Sequence, residues 1–163
     1  MVTATATERG PTCQREIPAE LIRDLWSQTK QLISSLPKEE KASRKLRLLP
    51  KFCTNCPERL IGWQEMRELI GVYQSSVFSR EFLQKLLPLH YNELLHRLQH
   101  TLQHCVSSSK PSQWSESIKK LEKKIKKMSR GRKRRRDEGV MKAVGEFIFV
   151  LRWIDELREQ IGL

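Results

Sequence analysis

Glycine and proline are scarce, with seven of each in 163 residues. No stretch alternates apolar and polar side chains as a half-buried strand requires, which excludes an architecture of short strands and tight turns. Aromatic residues make up only 7% of the chain, and its periodic segments follow the helical step, so the fold class is all-α. No run of about 18 apolar residues occurs, which excludes a membrane-spanning helix. The nucleotide-binding glycine motifs, Gly-x-Ser-x-Gly and His-Glu-x-x-His are all absent, and there are three aspartates, Asp24, Asp137 and Asp155. Without those arrangements no catalytic chemistry is expected, and neither is a cofactor or a resident metal. No Asn-x-Ser/Thr sequon occurs. Residues 1–12 lack the apolar centre of a signal peptide and read as the start of a processed, secreted chain.

The most apolar segment runs from Val140 to Ile161. Val140, Val144, Phe147, Leu151, Ile154 and Ile161 recur at three- and four-residue steps, and Met141, Ile148, Val150, Trp153 and Leu157 widen the apolar arc beyond one stripe. The segment is predicted to be the central, buried helix of a bundle. Gly145 costs about 1 kcal/mol relative to alanine in mid-helix, so a close helix crossing or a partner is expected there. Upstream, residues 1–15 form a polar arm and 16–163 one helical domain. Its helices are predicted over Pro18–Leu36, Glu58–Phe78, a short turn at Phe82–Leu87, Tyr91–Cys105 and Trp114–Met128. A polar connection over Lys38–Pro57 includes a helical turn at Arg44–Leu49.

Net charge is +12, and between Lys119 and Arg136 twelve basic residues face the single acid Glu122. The excess therefore lies in a basic helix and linker, residues 113–137. Lys119, Lys120, Lys123, Lys124, Lys126 and Lys127, then Arg130, Arg132, Lys133, Arg134, Arg135 and Arg136, have the density to neutralise phosphates or sulfates without reading sequence. With Trp114 and Ile118 on its other face, the helix also suits an anionic membrane surface. A solvated loop and a processing-protease site at Lys133–Arg136 are the competing readings.

Cys13, Cys53, Cys56 and Cys105 form an even set of the kind that secreted chains oxidise. Cys53-x-x-Cys56 with His100 and His104 has zinc-ligand residue types, but the intervening span exceeds that of a small finger. His96, His100 and His104 form a ridge opposite the leucine stripe, expected to be solvated, with pH-dependent polyanion binding as the sharper reading.

The cysteine before the first helix, Gln103-His104-Cys105 closing the fourth, Leu46-Arg47-Leu48-Leu49 in the first connection, and Lys142-Ala143-Val144-Gly145-Glu146-Phe147 followed by Leu151 and Trp153 together resemble the interleukin-10 family of class II helical cytokines. The resemblance covers residues 13–163 and is strongest in the last helix. It implies a six-helix bundle with a buried C-terminal helix. It also implies a secreted protein whose partners are class II cytokine receptor ectodomains, a two-chain receptor that drives JAK–STAT signalling, and it leaves room for a homodimer. Arg47, Lys142 and Glu146 match receptor-contacting positions. Taken alone, Lys142 and Glu146 are an ordinary four-residue ion pair worth a few tenths of a kcal/mol, so reversing them is expected to spare stability.

The pattern is broken in two places. Ile148 stands where the family has aspartate, and Trp63 where it has a cysteine. Pairing of Cys13 with Cys105 and of Cys53 with Cys56 is expected, with either loop cysteine as an alternative partner for Cys105. Outside the family resemblance, an intracellular basic helical protein that binds nucleic acid non-specifically is the competing class. Free, readily reduced thiols would mark it.

Overall fold

The computed structural model describes residues 12–36, 48–49, 62–106, 114–128 and 133–159. Among them every regular element is helical. The helices are α1 (Thr12–Glu16), α2 (Ala19–Ser35), α3 (Trp63–Val72), α4 (Glu81–Gln84), α5 (Tyr91–Cys105), α6 (Ser115–Met128) and α7 (Lys133–Glu159), with a single π turn, Tyr73–Val77, continuing α3. None of these helices is long and apolar enough to cross a membrane.

α7 is the rod the others pack on. Val140, Ala143, Val144, Phe147, Val150, Leu151 and Ile154 are fully buried, and Trp153 and Leu157 nearly so. Full burial of each large side chain stabilises by about 1.5–3 kcal/mol. α2 makes its most extensive packing against α7, and α3 and α6 also lie on it. One edge of α7 stays in solvent, where Gly145, Arg152, Asp155 and Glu156 are exposed.

The π turn has a packing cause. In a regular α-helix Phe78 would lie about 140° around the axis from Tyr73, because five residues advance about 500°. The wider turn, closed by the Phe78 N–H donating to the Tyr73 carbonyl at 2.8 Å, returns both rings to the core. There Tyr73 and Phe78 meet Phe147, with ring centres 4.7 and 5.1 Å away, and Phe78 meets Tyr91 at 5.3 Å. Both phenols are satisfied. The Tyr73 hydroxyl donates to the Ala143 carbonyl at 2.8 Å, and the Tyr91 hydroxyl shares a hydrogen with that of Thr29 at 2.6 Å.

α1 is tied both to α5 and to the C-terminal end of α7. A disulfide joins Cys13 to Cys105, the pairing the sequence suggests, and closing a loop of that size contributes about 4–5 kcal/mol in the chain-entropy account. Gln14 Nε2 donates to the Leu157 carbonyl at 2.9 Å, and Arg158 Nε to that of Ile17 at 2.7 Å. Thr12–Glu16 is thus a docked helix rather than the end of a loose arm, because Cys13 and Ile17 are apolar enough to bury.

Three further expectations change. The last helix begins at Lys133, not Val140, because lysine and arginine are good helix formers and Gly139 costs only about 1 kcal/mol within the helix. The linker to α6 therefore shrinks to residues 129–132. Gly145 is not at a helix crossing: it is exposed, and an added Cβ would meet nothing within 4 Å. The third helix begins at Trp63 among the described residues. With open space at Gly145, Gly145→Ala is expected to stabilise the fold by about 0.5–1 kcal/mol in urea titration; destabilisation would show that the position packs after all.

Candidate functional site

The first connection and the last helix meet at a buried carboxylate. Leu48 and Leu49 are buried. The Leu48 N–H donates to both Glu146 oxygens, at 3.1 and 2.9 Å, and the Leu49 N–H to Oε1 at 2.8 Å. Glu146 is itself 7% exposed. Lys142 Nζ lies 3.7 Å from Glu146 Oε2, with the two side chains 11% and 9% exposed. The helical four-residue spacing brings lysine and glutamate together on α7, and the connection caps them. The Tyr73 hydroxyl is pushed well above its ordinary range by burial first, then by the negative charge of Glu146 and by Tyr91.

This geometry overturns the expectation of an ordinary surface pair. A buried N–H left unsatisfied costs about 1–3 kcal/mol, so loss of Glu146 would strand two such donors, the amides of Leu48 and Leu49. Arg47 lies outside the described residues, but its neighbour Leu48 is fixed by this contact. Beside the junction, the solvent-facing edge of α7 carries Gly145, the half-buried Ile148 and Phe149, and Arg152, whose guanidinium stands 6.0 Å over the Phe149 ring. Ile148, at the position where the family pattern has a charge, makes this edge more apolar. On α2, Lys30 stands 5.6 Å over the Trp26 ring.

α6 presents a second, electrostatic surface. Ile118, Leu121 and Ile125 are buried, while Lys119, Lys120, Lys123, Lys124, Lys126 and Lys127 are exposed. The lysines therefore form an outer face about 12 Å long, at 1.5 Å per residue. Glu122 offsets Lys126 at 3.7 Å. The helix is anchored at its start by the Ser115 hydroxyl, 3.0 and 2.9 Å from the two Glu68 oxygens. Arg130 and Arg132 lie outside the described residues. Lys133, Arg134, Arg135 and Arg136 occupy the first turns of α7, which extends the basic sequence onto the rod itself. Cys53 and Cys56 also lie outside the described residues, and among those described no group of three or more His, Cys, Asp or Glu could hold a metal.

The Glu146 contact to the connection was not legible from spacing, because its partners are backbone groups nearly a hundred residues away. Arg158 likewise reaches a distant backbone carbonyl, that of Ile17, and Ser115 meets the Glu68 side chain 47 residues away, neither of which local spacing shows. A basic residue in the last turn of a helix was the one available signal for Arg158.

No protein-family profile matches the chain. No solved structure matches it either. Among characterised proteins it is similar to human interleukin-26, with 25% identity over 162 residues, covering 96% of this chain and 82% of that protein. An all-α chain with a buried C-terminal helix is thus similar along nearly its whole length to a cytokine.

Proposed function

We propose that this chain is a secreted helical cytokine of the interleukin-10 family that engages a two-chain class II cytokine receptor and drives JAK–STAT signalling. The similarity to interleukin-26 supports the cytokine reading, and the Cys13–Cys105 disulfide supports an oxidising, extracellular setting over the intracellular alternative. The observation that carries the receptor surface is the junction at Glu146, which fastens the first connection to the last helix. Arg47 is the contact residue on the connection. Lys142 and Glu146 serve the same surface mainly from within, because the carboxylate is already occupied by the amides of Leu48 and Leu49. Gly145 on the open edge of α7 leaves room for a partner to approach the helix backbone. The chain acts by binding and has no catalytic role. The family resemblance also allows a homodimer.

The basic face of α6, with residues 130–136, is a second binding surface, for polyanions: glycosaminoglycan, DNA or anionic lipid. Exposed ammonium groups on a rigid, anchored helix neutralise phosphate or sulfate without demanding a sequence. At bacterial membranes the same charge would give antimicrobial action.

A screen of the disulfide-bonded chain against class II receptor ectodomains should find saturable binding to one receptor pair, and its failure would remove the receptor reading. Gly145→Leu should then lower that affinity about tenfold or more, which is about 1.4 kcal/mol, without lowering the unfolding midpoint. Equal affinity would take the open edge of α7 out of the interface. For the basic surface, neutral replacement of residues 132–136 should weaken heparin or DNA binding and flatten the plot of log affinity against log salt by about 0.9 for each phosphate no longer neutralised. An unchanged slope would exclude this cluster from the binding site.

A further inference from the structure

We propose that His100 and His104 form a surface chelate for a divalent transition metal of the zinc and copper class. The two residues stand four apart in the last turns of α5, so their side chains leave the same face of the helix, one above the other. Both are exposed, and their rings are already in contact, with centres 4.4 Å apart and planes inclined at 64°. Metal–nitrogen bonds of about 2.0–2.1 Å put each ring centre about 3 Å from a shared ion. Centres 4.4 Å apart therefore lie within the span of one ion, after small rotations of the imidazoles.

The backbone beneath the pair is already fixed. Leu94, Leu95, Leu98 and Leu102 bury the opposite face of α5, and Cys105, one residue beyond His104, is held by its disulfide to Cys13. A chelate at this place loses little entropy in ordering its ligands, since the helix sets their separation before the metal arrives. His96 continues the ridge one turn earlier, but among the described residues the ring contact is made by His100 and His104. No third His, Cys, Asp or Glu joins them among the described residues. Two imidazoles and water are then the ligand set, which favours borderline metals over magnesium or calcium and copper over zinc.

The test is calorimetric titration of zinc chloride, and separately copper chloride, into the full disulfide-bonded chain in a non-coordinating buffer. One saturable site is expected, tighter for copper. His100→Ala and His104→Ala should each weaken it about tenfold or more, which is about 1.4 kcal/mol or more, while His96→Ala leaves it intact. Bound metal should also raise the unfolding midpoint of the natural chain and not of the His100→Ala, His104→Ala double variant. Alanine is the best helix former, so circular dichroism should show α5 unchanged in all the variants. Absence of saturable binding, equal binding by the double variant, or a loss in His96→Ala matching that in His104→Ala would each overturn the assignment.

Discussion

A single buried carboxylate fixes the relation between the first connection and the last helix. An ionised group moved out of water costs several kcal/mol unless it is paired and hydrogen-bonded. Glu146 meets both conditions, taking the amides of Leu48 and Leu49 while Lys142 stands 3.7 Å away. Two segments far apart in sequence are thereby joined by hydrogen bonds to one side chain, beside the burial of Leu48 and Leu49 themselves. The same charge bears on Tyr73, whose hydroxyl is held protonated and reaches Ala143, one turn before Glu146. Polar order at this point thus depends on α7 being where it is.

α7 in turn is held in place by packing. Phe147, near the middle of the rod, sits among Tyr73 and Phe78. At its C-terminal end, Arg158 and the carbonyl of Leu157 receive the N-terminal helix, which the disulfide ties to α5. The densest positive charge among the described side chains is carried by α6, where every third or fourth residue is apolar and most of the rest are lysine. The fold thereby separates two surfaces: the junction of connection and rod at Glu146, and the cationic outer face of α6.

The amphipathic helices could be read directly from spacing. Leu21, Leu25 and Leu32 of α2, the Leu94 to Leu102 stripe of α5 and the Val140 to Leu157 face of α7 all lie inside as their periods require. What spacing could not give was anything decided by non-local partners. Lys142 and Glu146 look like any surface pair until a loop from far upstream closes over them, and Gly145 suggests a tight crossing until the open edge of the rod is seen. The π turn depends on where Phe147 and Tyr91 wait for Phe78, information absent from residues 73–78 themselves. The start of α7 is hard to read because a run of like charges resembles a linker, although its residues favour helix.

Amide hydrogen exchange at Leu48 and Leu49, compared between the natural chain and Glu146→Gln, tests this account most directly. The account predicts slow exchange at both amides in the natural chain and marked acceleration in the variant, with the amides of Val150 and Leu151 in the rod still protected. Rapid exchange at Leu48 and Leu49 in the natural chain, or protection there that survives the substitution unchanged, would contradict it.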